Sequence, residues 1–180
     1  MTFEVEKTML PNGEEVLFVP ANLIDPAKYI EYAHTVCTET SFTCVTPDML
    51  PQDLTSSMYA LCNMANDETR VDVFCIMGDQ IVGYASACKH SNRLRSHRCS
   101  ISIEVRKDFW NKGIGRALMT TIIDKAYKNL DAYQLELEVH TVNYRAQSLY
   151  RSMGFQIVGE IPHTEWLDDR TALSSYIMVM

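Results

Sequence analysis

Residues 105–116, Val-Arg-Lys-Asp-Phe-Trp-Asn-Lys-Gly-Ile-Gly-Arg, carry the most distinctive chemistry in the chain: Gly113 and Gly115, one residue apart, between Lys112 and Arg116. Glycines let a backbone come close to a ligand and turn its N–H groups outward. Where a helix starts at such a turn, its N-terminus adds partial positive charge, a combination that suits a phosphate or pyrophosphate. Lys112 and Arg116 would add charge-assisted contacts. The nucleotide pattern Gly-x-x-x-x-Gly-Lys-Ser/Thr is absent. A dinucleotide fingerprint needs a third glycine where Leu118 stands, and wants its glycines directly after a strand, whereas Arg106 to Lys112 intervene here. Glu136 or Glu138 does supply an acidic residue about 20 positions on, so that reading is weakened but not removed. Taken alone, the turn fits a helix start that binds nothing equally well.

A second cluster runs from Leu135 to Phe155. Glu138 lies between Leu137 and Val139, so on a strand it faces away from that apolar pair, and Glu136 shares its face. His140 follows; a lone histidine is more often solvated or capping than catalytic. Cys88-x-His90 and His97-x-Cys99 flank the turn Ser91–Ser96. Their i, i+2 spacing could bring two Cys and two His together across a hairpin, the donor set of a zinc site. The gap is short and nothing else in the sequence asks for a metal, so none is expected.

The elements that must hold these residues follow from pattern. Phe3 to Pro20 reads as two short strands about the turn Pro11-Asn12-Gly13. Asp25-Pro26 opens a helix running to about Thr38. A second helix lies near Leu54–Met64. Val71–Met77, Gln80–Cys88 and His97–Val105 are strands. Gly113–Lys128 is an amphipathic helix with Ile114, Leu118, Ile122 and Ala126 on one face. Tyr133–Val139 is a strand, Tyr144–Ser152 a helix stopped by Gly154, and Phe155–Glu160 and Ser174–Val179 are the last strands. The order β-β-α-α-β-β-β-α-β-α-β-β brackets one βαβ crossover with meanders. It predicts an α/β protein of the α+β kind, with a mixed, mostly antiparallel central sheet covered by helices.

Length and composition narrow the partners. The 180 residues, 47% hydrophobic and 22% charged, suit one soluble domain spanning 1–180. No apolar run reaches the roughly 20 residues of a membrane span, and the N-terminus has no signal-peptide pattern. The expected setting is cytoplasmic, without a membrane partner. The cysteines sit mostly among apolar neighbours and read as small hydrophobes. A net charge of −7 argues against nucleic acid. It suits a cationic partner, and equally plain solubility.

The pattern from Ile103 to Phe155 resembles the GNAT superfamily of N-acyltransferases. Trp110-Asn111-Lys112-Gly113-Ile114-Gly115 occupies the family's acyl-CoA motif Gln/Arg-x-x-Gly-x-Gly/Ala, with Trp110 departing from the usual first residue. Leu135–Val139 followed by Asn143-x-x-Ala146-x-x-Leu149-Tyr150-x-x-Met153-Gly154-Phe155 is similar to its closing motif.

The resemblance implies acetyl-CoA as co-substrate and an amine as acceptor. It implies two parallel strands, His97–Val105 and Tyr133–Val139, splayed at their C-terminal ends. The pantetheine arm would pair with Ile103, Glu104 and Val105, and an N–H near Val105 would hold the oxyanion. Asn111, Lys112, Gly113, Ile114, Gly115 and Arg116 would hold the pyrophosphate. Asn143 would fix the cofactor arm or the acceptor, and Tyr150 would protonate the leaving thiolate. Glu138 would take the amine's proton, with Glu104 as another candidate. The acceptor itself is not encoded in any motif; Glu39, Phe42, Trp166, Asp168, Asp169 and Tyr176 are expected near it. A homodimer is compatible with this reading. A sensor that binds acyl-CoA without turnover, and a nucleotide- or NAD-binding module, are the alternatives.

Overall fold

The computed structural model describes residues 2–43, 45–168 and 170–180. The strands are β1 (Glu6–Met9), β2 (Glu15–Pro20), β3 (Arg70–Met77), β4 (Gln80–Lys89), β5 (Arg98–Val105), β6 (Gln134–His140), β7 (Gln156–Asp168) and β8 (Thr171–Val179). The helices are α1 (Pro26–Glu39), α2 (Leu54–Asn66), α3 (Ile114–Leu130) and α4 (Tyr144–Ser152). The predicted order holds throughout. Among the described residues one sheet runs β1-β2-β3-β4-β5-β6-β8-β7, and only β5 and β6 pair in parallel.

Strand alternation divides the interior into two layers. Val71, Val73 and Cys75 of β3 face α3, whose Ile114, Leu118, Ile122 and Ala126 are buried against them as the sequence spacing required. Phe74, between them, points the other way, to Tyr32, Val36 and Leu61 of α1 and α2. β3 is thus buried on both faces, which explains its near-continuous apolar sequence. Gly83 lets α3 sit tightly on β4: a Cβ there would lie 2.8 Å from Leu118 Cδ1.

Helix starts follow local chemistry. Asp25 accepts from the Ala27 and Lys28 amides ahead of Pro26, and Asp53 forms a capping box with Ser56. β7 and β8 depart from expectation. β7 continues past Glu160 to Asp168, and β8 begins at Thr171 instead of Ser174. Pro162 and a positive φ at His163 break the alternation in sequence. The ladder absorbs them by shifting register between Ile161 and Glu165.

Candidate active site

β5 and β6 pair only from Arg98↔Gln134 to Ser100↔Glu136. Beyond that point they diverge, β5 to Val105 and β6 to His140, and a cavity of about 610 Å³ opens between their ends. Two backbone bonds fix which groups of β5 face it. The Arg106 amide donates to Val82 O (3.0 Å) and the His90 amide to Arg98 O (3.2 Å), so even-numbered residues of β5 turn toward β4. By alternation Ile103 and Val105 turn their N–H groups toward the gap. The splayed parallel pair expected from the sequence is present.

The glycine turn lies at the same end. Gly113 has φ +92° and precedes α3 without any side-chain cap. Its missing Cβ would stand 2.9 Å from Pro11 Cδ, so conformation and packing both require glycine there. Gly115 has a different task. A Cβ there would meet Leu149 Cδ2 at 3.4 Å and Ile103 Cδ1 at 3.7 Å, on the cavity wall between α3 and α4. Asn111 and Arg116 also line the cavity, and Arg116 donates to Ser152 Oγ (2.8 Å). Ile114 is buried in the core and offers only its backbone. Lys112 is not among the lining residues; its ammonium lies 4.9 Å from the centre of the Phe109 ring. Trp110 closes the turn onto the strand, its indole N–H donating to Val105 O (2.7 Å) while the Arg145 guanidinium covers its ring.

α4 supplies Tyr150 to the same wall. Its phenol is buried, which pushes it up to about 12. Its ring packs edge-on to Phe155, and among the described residues nothing hydrogen-bonds its hydroxyl. Asn143 begins α4 by accepting from the Ala146 amide (3.2 Å), so it orients the helix that carries Tyr150 besides lining the cavity.

The carboxylates separate clearly. Glu138 is exposed on the cavity wall, opposite in face to the buried Leu137 and Val139. Glu104 lies deeper: burial raises its carboxyl, and Thr43 Oγ1 donates to it at 3.4 Å. Glu136 is not available as a base. Burial pushes it up, but hydrogen bonds from His90 and Arg98 and the Arg98 charge outweigh that and hold it low.

His140 is buried on the cavity wall, with Nε2 3.3 Å from Glu165 Oε1 and the Phe42 ring 6.0 Å away. This pair was invisible in the sequence, because Glu165 belongs to the unpredicted part of β7. Of the residues expected near the acceptor, Phe42 lines the cavity. Glu39 instead accepts from the Lys107 amide (2.6 Å). Trp166 is exposed beside His163 and Tyr176 packs on the core; neither is on the cavity wall. Asp169 lies outside the described residues, and Asp168 ends β7. The four-residue metal hairpin fails on register: Cys88 pairs with Ser100 and Lys89 with Cys99, so the two cysteines point to opposite faces.

With this geometry in view, known proteins can be compared. A family model described as "Acetyltransferase (GNAT) family" matches residues 39–155. The L-amino acid N-acetyltransferase AaaT of Escherichia coli (strain K12) is 33% identical over 87 residues, which are 48% of this chain and 53% of that protein. The chain thus spans about half the length of this curated relative. The structure of an acetyltransferase of the GNAT family from Streptococcus pneumoniae superposes with TM-score 0.83 at 22% identity, covering 92% of this chain and 98% of that one. That of yncA, a putative acetyltransferase from Salmonella typhimurium with its cofactor acetyl-CoA, gives 0.74 at 18%, covering 97% and 93%. Among the described residues no helix is long and apolar enough to cross a membrane.

Proposed function

The chain belongs to the GNAT acetyltransferase family, and from that premise we propose that it transfers an acetyl group from acetyl-CoA to a primary amine. The observation that carries this reading is the splay of β5 from β6, with Ile103 and Val105 facing the gap and the uncapped glycine start of α3 at its end. The pyrophosphate would sit on the first amides of α3, with Asn111 and Arg116 beside it. The pantetheine amides would add to β5 as a short strand. The Val105 N–H would then meet the thioester oxygen and stabilise the oxyanion. The amine nitrogen attacks, the C–N bond forms, the C–S bond breaks, and Tyr150 donates its proton to the departing sulfur. A phenol raised to about 12 keeps that proton across the neutral range. The same burial raises the thiolate's proton affinity, which favours the transfer. The unpartnered Tyr150 hydroxyl favours an enzyme over a sensor that only binds acyl-CoA.

The acceptor end carries Glu104 and Glu138, and its histidine, His140, is already faced by Glu165. An ammonium is attracted there, whereas an adjacent carboxylate on the substrate is repelled. We therefore assign an amine without a neighbouring carboxylate, unlike the amino acids in the name of the Escherichia coli relative.

Acetyl-CoA should raise the melting temperature, since ligand at a hundredfold excess over its dissociation constant adds about 2.7 kcal/mol. A shift with NAD and none with CoA or acetyl-CoA would overturn the assignment. Thiol release should then be compared for 1,5-diaminopentane, pentylamine and norleucine. Pentylamine and norleucine differ by a single carboxylate beside their one amine, and norleucine reacting as fast would sink the acceptor reading.

A further inference from the structure

The ammonium form of an amine cannot attack a thioester, so its proton must go to a group at the acceptor end. The last β5–β6 pair is Ser100↔Glu136. Counting equal steps along the two parallel strands brings Glu104 and His140 level on the diverging arms. Both stand on the sheet face away from α3, because side chains alternate. The loop after α1 spans them: Thr43 bonds to Glu104 and the Phe42 ring lies over His140. All four line the cavity, as does Val105. Glu138 sits one pleat nearer the paired strand ends and is exposed.

We propose that His140, backed by the Glu165 carboxylate, takes the proton from the acceptor amine, while Glu104 binds the incoming ammonium across the gap. This rests on the reading of the cavity as an acetyl-transfer site. The ammonium proton passes to the neutral imidazole at the nitrogen not facing Glu165. The freed lone pair forms the C–N bond, and the imidazolium then lies between Glu165 and Glu104. An imidazole is suited to the task because one ring nitrogen can take the proton while the other stays turned to the carboxylate behind it. Charged neighbours are Glu165 from β7, Glu104 from β5 and Glu138 on its own strand. β8 presents Ser175 and α4 presents Gln147, both neutral.

The test is the pH profile of kcat/KM, measured with acetyl-CoA and whichever amine of the panel above reacts fastest, for wild type, His140→Gln, Glu165→Gln and Glu104→Gln. His140→Gln should lower turnover roughly a hundredfold to ten-thousandfold at neutral pH, with the acetyl-CoA melting shift retained. The loss should shrink at high pH, where the amine is already neutral. Removing the Glu165 charge disfavours an imidazolium beside it, so in Glu165→Gln the acid limb should move to lower pH. A purely structural role for Glu165 leaves that limb in place. Glu104→Gln should mainly raise the acceptor KM. An acid limb that survives His140→Gln but vanishes in Glu104→Gln would overturn the proposal and assign the proton to Glu104. Should His140→Gln fail to fold, an unmoved limb in Glu165→Gln overturns it equally. If acetyl-CoA gives no melting shift in the wild type, or no amine releases thiol, the function proposed above fails and this inference falls with it. If acetyl-CoA binds and turns over but the limb does not respond, only the histidine assignment is lost.

Discussion

The two ends of the cavity are assembled in opposite ways. The end proposed for the cofactor comes from two nearly continuous stretches, 103–116 and 143–152, in which a strand end, a glycine turn and two helix starts follow one another. The end proposed for the acceptor is gathered from the loop after α1, the tips of β5 and β6, and a side chain far along β7. A pyrophosphate is the same for every acceptor, so backbone amides and local glycines suffice to hold it. An acceptor must be chosen by side chains at chosen heights, which only the packed sheet can bring together. The cofactor end should therefore depend on backbone conformation, and the acceptor end on individual charges.

Tyr150, where the two ends meet, gives the largest effect. Tyr150→Phe removes the hydroxyl and keeps the ring on Phe155. Turnover should fall about a hundredfold to ten-thousandfold while acetyl-CoA affinity stays nearly constant, a loss confined to the transition state. Turnover within about threefold of wild type, measured with affinity on one preparation, removes Tyr150 from the acid role.

The two glycines test the claim about backbone. Gly113→Ala forces a side chain into φ +92° and against Pro11. It should cost on the order of 1–3 kcal/mol in denaturant unfolding. Gly115→Val should leave the melting temperature within a few degrees but raise the acetyl-CoA KM. If both variants behave alike, the division of labour inside the turn is wrong.

The smallest effect concerns Glu136, which lies behind the acceptor end and outside it. Its carboxyl is held low in the fold, so its contribution is present above the ordinary value of about 4.3 and is lost as pH falls through the lowered value. Glu136→Gln should flatten the decline of melting temperature below about pH 5, with neutral turnover unchanged. A drop in neutral turnover would extend the acceptor end to this network.

The same contrast explains what the sequence discloses. The helix cap at Asp25, the turn at Gly113 and the periodicity of α3 act over a few residues, and each was readable. So was the splay, through the motif carried by β5, α3 and α4. His140 was readable only as a lone histidine. Its partner Glu165 lies on a strand whose Pro162 and positive-φ His163 hide the alternation, and whose pairing is set by β8. The sequence put Glu138 ahead of Glu104 as the base; that Glu104 lies deep, under the loop carrying Phe42 and Thr43, while Glu138 is exposed was not readable there. Trp110 replaces the usual polar residue of its motif, and its bond to Val105 O shows a role in anchoring the turn.

The register shifts of β7 also bear on how the molecule avoids its own kind. β7 is an outer strand, thirteen residues long, with Val158, Ile161, Trp166 and Leu167 in solvent. A straight strand of that composition would offer an open ladder to any passing segment, including those of half-folded copies during synthesis. The breaks after Ile157, Ile161 and Trp166 divide its free edge into short pieces. No piece is long enough to seed a growing β-stack, and Pro162 withholds a donor in the middle. At the far side, β1 meets the same hazard by being four residues long and carrying Glu6 and Lys7. One margin resists aggregation by brevity and charge, the other by interruption.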